Sequence, residues 1–203
     1  MMKMTSGGFK ILRDKFGSLK QDQVDAINYI VQKMDEDKSI TYPQGAYILA
    51  TIWHETATTM QPIAEYGKGK GRPYGTWYKN SKGELYSFKD GSRSSVYLQS
   101  ECPHLFYGRG ETQNTWYTNY EKLSKVFGVD FLSNPDLLLT QEWSTPVTIY
   151  SMKTGLYTGK KLSDYIYQSK KDYVNARRII NGMDKANLIA GYAGVFERAL
   201  RSL

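Results

Sequence analysis

The chain has 203 residues, 40% of them hydrophobic and 23% charged, with a net charge of +7 at neutral pH. That balance excludes a disordered or fibrous chain and fits one folded domain, or two lobes sharing one core. A single cysteine, Cys102, excludes an internal disulfide, and two histidines, His54 and His104, leave a poor ligand supply for zinc.

The N-terminal "MMKMTSGGFKILRDKFG" lacks the apolar stretch of a signal peptide, so a soluble chain made in the cytoplasm is expected. Residues 21–38 place Val24, Ile27, Ile30, Val31 and Met34 at helical spacing, which predicts an amphipathic helix with that face in the core. "TYPQG" breaks it. Residues 46–59 then predict a second helix, apolar on nearly all sides and therefore buried, with Pro62 ending or bending it. From residue 67 to about 105 the composition turns to Gly, Ser, Lys and Tyr. Turn signals at Lys82-Gly83 and Asp90-Gly91 predict short strands and loops with one side in solvent. Helical patterning returns at residues 115–127, stops at Gly128, and resumes near Asn134-Pro135, with Pro at a tolerated first-turn position. Further helices are predicted over 161–168, 172–180 and 185–203.

Two compositional features bear on partners. Tyrosine is abundant, at 17 residues beside 4 Trp, which suits core packing together with a groove that recognises sugars or peptides. From Ser151 onward ten Lys or Arg face four acids, so six of the seven surplus charges lie there. Such a face solubilises, or it meets an anionic wall or membrane surface. No nucleic-acid motif accompanies it, and no nucleic-acid partner is expected.

Several chemistries fail on spacing. "HETAT" is not H-E-x-x-H, because position 58 is Thr, so neither a metal nor a cofactor is expected. Cys102 and His104 stand too close on one loop to orient each other as nucleophile and base. "GKGKGRPYG" lacks the G-K-[ST] ending of a phosphate loop. Paired carboxylates remain. Glu55 falls in the last turn of the buried helix, where the helix dipole and burial near Trp53 both oppose its ionisation, as a general acid requires. Glu65 lies beyond Pro62 in a more hydrated connection. Two carboxyls pushed apart in this way suit cleavage of a glycosidic bond. The plainer alternative is that Glu55 pairs with Arg109 or a lysine, and that Glu65 is a surface acid.

The blocks "YILATIWHETATTMQPIAEYGKGKGRPYG", "FYGRGETQNTWYTNYEKLSKVFGVDFLSNPDLLL" and "ARRIINGMDKANLIAGYAGVFERAL" together resemble the glycoside hydrolase family 19 chitinases. They look still closer to relatives of that family among bacteriophage and prophage lysozymes. The resemblance implies a mainly helical α+β, lysozyme-like fold, with a small β-rich region lining a substrate cleft, and one catalytic domain over residues 1–203 without a separate wall-binding domain. It implies Glu55 as general acid, Glu65 as the second carboxylate and Thr115 as the residue steadying the attacking water. His54, Tyr107, Arg109, Gln113, Asn119 and Asn181 match structural and substrate-contacting positions. Where relatives carry apolar residues after "YGRG", this chain has Glu111 and Thr112, and Asn114 stands in place of a usual leucine. Glu65 therefore ranks first as second carboxylate, Glu84 second and Glu111 third. The expected activity is inverting hydrolysis of the β-1,4 bond of peptidoglycan by a monomer acting on the periplasmic wall. The alternatives are chitin as substrate, or a glycan-binding structural protein without catalysis.

Overall fold

A computed structural model describes residues 1–202. In chain order the elements are α1 (Ser6–Phe16), α2 (Gln21–Glu36), α3 (Tyr42–Glu55), β1 (Ile63–Ala64), β2 (Tyr78–Lys79), β3 (Leu85–Phe88), β4 (Val96–Leu98), β5 (Arg109–Gly110), α4 (Tyr117–Phe127), α5 (Gln141–Thr154), α6 (Leu162–Tyr165), β6 (Ile166–Tyr167), β7 (Lys170–Lys171) and α7 (Ala186–Leu200). The chain forms two compact units, one of residues 1–61 with 145–203 and one of residues 62–144.

The first unit is helical. Its core is built on α3, which packs on α7, and α1 packs on α7 as well. Tyr47, Ile48, Leu49, Ala50 and Ile52 are fully buried, and Trp53 stacks on Phe16 with ring centroids 4.7 Å apart. Burying side chains of this size supplies roughly 1.5–3 kcal/mol each. Of the face expected of α2, Ile27, Ile30, Val31 and Met34 are buried, Val24 is only half-buried, and Ala26 joins them inside.

α3 starts four residues earlier than its apolar pattern indicates. The Thr41 hydroxyl accepts from the Gln44 N–H, and the Gln44 side chain accepts in turn from the Thr41 N–H, so "TYPQG" opens the helix, with Pro43 in its first turn. The helix also ends before Pro62 can act. The Thr56 hydroxyl donates to the Ile52 carbonyl and accepts from the Met60 N–H, while Ala57, Thr58 and Met60 adopt positive φ. The chain therefore leaves the helix at Glu55.

α1 was not among the expected helices. Thr5 caps it by accepting from the Gly8 N–H. In the last third the long helices expected over 161–168 and 172–180 are short. α6 gives way to the β6–β7 hairpin, with Ile166 opposite Lys171, and residues Asn175–Ile179 form a 3₁₀ turn. The helix expected near Asn134 is likewise a 3₁₀ turn, Pro135–Leu139, followed by α5.

The second unit carries two small antiparallel sheets. β1 pairs with β5, and β2, β3 and β4 form a three-stranded sheet with Tyr78 opposite Tyr86 and Tyr86 opposite Leu98. Gly83 sits in the β2–β3 turn, as its turn signal indicates. An aromatic core of Tyr97, Phe106, Tyr117 and Tyr120 holds the inner face of this sheet to α4, which stops at Gly128 in left-handed conformation. No helix among the described residues is long and apolar enough to cross a membrane.

Candidate active site

In the helical unit, Glu55 closes α3 with its side chain 18% exposed. Arg177 donates from Nη1 to Glu55 Oε1 at 2.5 Å and from Nε to the Asp184 carbonyl at 3.0 Å. The guanidinium is buried, and the 3₁₀ turn around it is closed by the Asn181 N–H bonding to the Arg177 carbonyl. Glu55 Oε2 has no hydrogen-bond partner among the described residues. The expected pairing of Glu55 with Arg109 is not formed; Arg177 takes that place. Nor is the carboxylate simply buried against Trp53, whose ring is packed on Phe16 and Phe196. Tyr47 lies beneath this pair, its phenol pushed up by burial. His54 is half-buried one residue before Glu55, and Asn181 is exposed, its side-chain oxygen accepting from the Gly182 N–H.

In the second unit, Glu65 follows β1 and is fixed from two sides. Tyr74 donates its hydroxyl to Oε1 at 2.8 Å, and the Gly108 N–H donates to Oε2 at 3.0 Å. The Glu65 N–H bonds back to the Gly108 carbonyl at 2.7 Å. A Cβ at position 108 would stand 2.7 Å from the Gln113 side-chain oxygen and 3.2 Å from Glu65 Cβ, so a larger residue there would have to displace the Gln113 side chain. Tyr74 is positioned by the close crossing of Gly69 and Gly75, where a Cβ on Gly75 would meet the Gly69 carbonyl at 2.2 Å. Burial, followed by the bond to Glu65, raises the Tyr74 phenol to about 12, so it stays a donor at neutral pH.

Arg109, Gln113 and Asn119 have side-chain donors engaged within this unit. Arg109 is buried, stacks over the Tyr107 ring at 3.6 Å, and donates to Asp136 Oδ1 at 2.7 Å and the Leu105 carbonyl at 3.0 Å. The Gln113 amide donates to the Ile63 and Gly110 carbonyls, tying β1 to β5. The Asn119 amide donates to the Thr115 carbonyl at 2.9 Å, which sets the turn that presents the half-buried Thr115. The three acids weighed as second carboxylate differ sharply. Glu84 is exposed at the β2–β3 turn beside Asn80, Glu111 is fully buried with its N–H on the Ser144 hydroxyl, and Glu65 is half-buried with a donor on each oxygen.

Arg177 and Tyr74 were missed by sequence reasoning. The arginine doublet inside the apolar run "ARRII" and the tyrosine after Pro73 were the available signals. Among the described residues no cluster of His, Cys, Asp and Glu fit to hold a metal is present.

A helical unit organised on one buried helix and a second unit of small antiparallel sheets make up the α+β lysozyme-like fold. It aligns with chitinase C from Streptomyces griseus at a TM-score of 0.55 and 18% identity, over 97% of this chain and 70% of that one. It aligns with a class IV, family 19 chitinase from Zea mays at 0.54 and 16%, over 97% and 91%. Residues 36–161 match the family model described as class I chitinase, and the chain belongs to that family, glycoside hydrolase family 19. Among curated relatives, endochitinase A2 of Pisum sativum is 34% identical over 113 residues, which is 51% of this chain and 33% of that protein. An endochitinase of Phaseolus vulgaris is 30% identical over 113 residues, with the same shares. The matched region thus spans about a third of the length of these relatives.

Proposed function

We propose that the protein hydrolyses the β-1,4 bonds of an N-acetylhexosamine glycan by inversion, with Glu55 as general acid and Glu65 as general base. The observation that carries this reading is the contrast in how the two carboxylates are held. Arg177 orients Glu55 through Oε1 and leaves Oε2 as the oxygen that would deliver a proton, while both oxygens of Glu65 are aligned by neutral donors, and the reading rests on this orientation. In the proposed step Glu55 Oε2–H protonates the glycosidic oxygen as the C1–O bond breaks. A water steadied by the Thr115 hydroxyl attacks C1 from the opposite face and gives its proton to Glu65. Solvent then returns the proton balance to Glu55. Glu84 and Glu111 rank behind Glu65, one lying at an exposed turn and the other fully buried.

Our substrate proposal is the glycan strand of peptidoglycan, cut beside N-acetylmuramic acid by a monomer made in the cytoplasm and acting on the cell wall. The surplus of six positive charges from Ser151 onward supports attraction to an anionic wall or membrane surface. Chitin is the second reading, favoured by the relatives named endochitinases. The test incubates the protein with purified peptidoglycan and, separately, with chitin oligomers, and identifies the new ends by mass spectrometry. Reducing ends at muramic acid, lost in Glu55→Gln, are expected. Release from chitin alone would replace the substrate assignment, and binding without cleavage would remove the catalytic reading in favour of a glycan-binding role.

A further inference from the structure

The three-stranded sheet presents one face that the proposed catalytic residues do not use. Strand alternation points Ser87 and Tyr97 inward, both buried, and turns Tyr86, Phe88 and Val96 to the other side. Tyr78 joins them from β2, opposite Tyr86. The three rings form a continuous aromatic surface, with centroids 5.7 Å apart for Tyr78–Tyr86, 5.2 Å for Tyr78–Phe88 and 5.8 Å for Tyr86–Phe88. All three are only partly buried, and Val96 is 39% exposed. They border an open cavity of about 420 Å³ whose rim carries Asp90 and Arg93.

We propose that this face is an accessory glycan-binding surface, which takes N-acetylhexosamine units of the polymer that the catalytic residues cut. Two features select a sugar over other occupants. A pyranose has an apolar face of C–H bonds and a rim of hydroxyls, and this surface pairs partly exposed rings with one anionic and one cationic hydrogen-bonding group at its edge. The surface is also tied to the candidate site. Ser87, on the inner side of β3, donates to the Pro73 carbonyl, and the next residue, Tyr74, holds Glu65. A chain of sugars engaged on the sheet would therefore be gripped by the same framework that fixes Glu65. The inference rests on the proposed glycan substrate and deepens it.

The test uses Glu55→Gln protein, so that binding is read without turnover, with insoluble chitin and purified peptidoglycan as the probes. Adding Tyr86→Leu and Phe88→Leu keeps an apolar sheet face and removes the rings. We expect retention on at least one polymer to weaken about tenfold, the scale of two lost aromatic contacts, with the thermal unfolding midpoint unchanged. Unchanged retention on both polymers overturns the proposal. So does a parent that elutes as a dimer while the Leu variant elutes as a monomer, because the face would then belong to a second copy. Failure of the catalytic reading is distinguishable, since it appears as wild-type protein that releases no reducing ends from either polymer.

Discussion

In the helical unit a glutamate closes a buried helix and meets a guanidinium; in the loop-rich unit a glutamate lies in an extended connection and meets a phenol and a peptide N–H. The first arrangement is stiff because it is anchored in the core: α3 is buried along nearly its whole length, and Arg177 is itself tied to the Asp184 carbonyl. The second is stiff because its backbone crosses closely. Gly108 pairs with Glu65 in both directions, and Gly69 and Gly75 interlock behind Tyr74. One carboxylate is thus held by charge and packing, the other by neutral hydrogen bonds and glycine geometry.

Removing each carboxylate breaks the comparison most severely. Glu55→Gln is expected to lower the rate of reducing-end release by roughly 10²–10⁴-fold, and Glu65→Gln by a similar factor, while Glu84→Gln leaves it near wild type. A large loss in Glu84→Gln with an active Glu65→Gln would move the base to the β2–β3 turn. Arg177→Ala comes next. It strips a partly buried carboxylate of its cation, and chemical denaturation should show a loss of about 3 kcal/mol, together with reduced activity. A variant as stable as the parent would show that Arg177 does not hold Glu55.

Tyr74→Phe probes the neutral side. Losing one hydrogen bond to a charged group should lower activity about tenfold with little change in fold. The same tyrosine contributes to an alkaline limit. Burial raises the phenols of Tyr47, Tyr97, Tyr120 and Tyr173, and burial with the Glu65 contact raises Tyr74 to about 12. Each keeps its proton in the folded chain at pH values where the unfolded chain, with phenols near ~10, begins to lose it. Their contribution to stability is therefore whole below about pH 10 and declines as pH rises through about 12. Melting curves that stay flat between pH 9 and roughly 11 would contradict this assignment. The smallest effect belongs to Thr41→Ala, which removes the cap of α3 and should cost about 1 kcal/mol in denaturant melts without altering the pH profile.

Much of the helical unit was legible because burial writes itself as periodicity. The face of α2 and the all-round apolar character of α3 placed the core and put Glu55 at a helix end. The boundaries of α3 were not legible. They depend on side-chain to backbone bonds by Thr41 and Thr56, and those residues carry no periodic signal. The last third misled for a related reason: apolar residues at 166, 176 and 179 are buried from a hairpin and a 3₁₀ turn, which helical spacing mimics over such short spans. Glu55 and Glu65 were found as acids, but their partners were not, because Arg177 lies 122 residues from Glu55 in sequence. Tyr74 is only nine residues from Glu65, and its role follows from glycine crossings that composition reads merely as a flexible loop.

The central claim is a single displacement shared between these two carboxylates. The direct measurement is the anomeric configuration of the first released product, read by proton NMR before mutarotation. Inversion at a β-linked sugar predicts an α-anomer in the early spectra, decaying toward equilibrium. An initial β-anomer would contradict the account, since retention requires a double displacement.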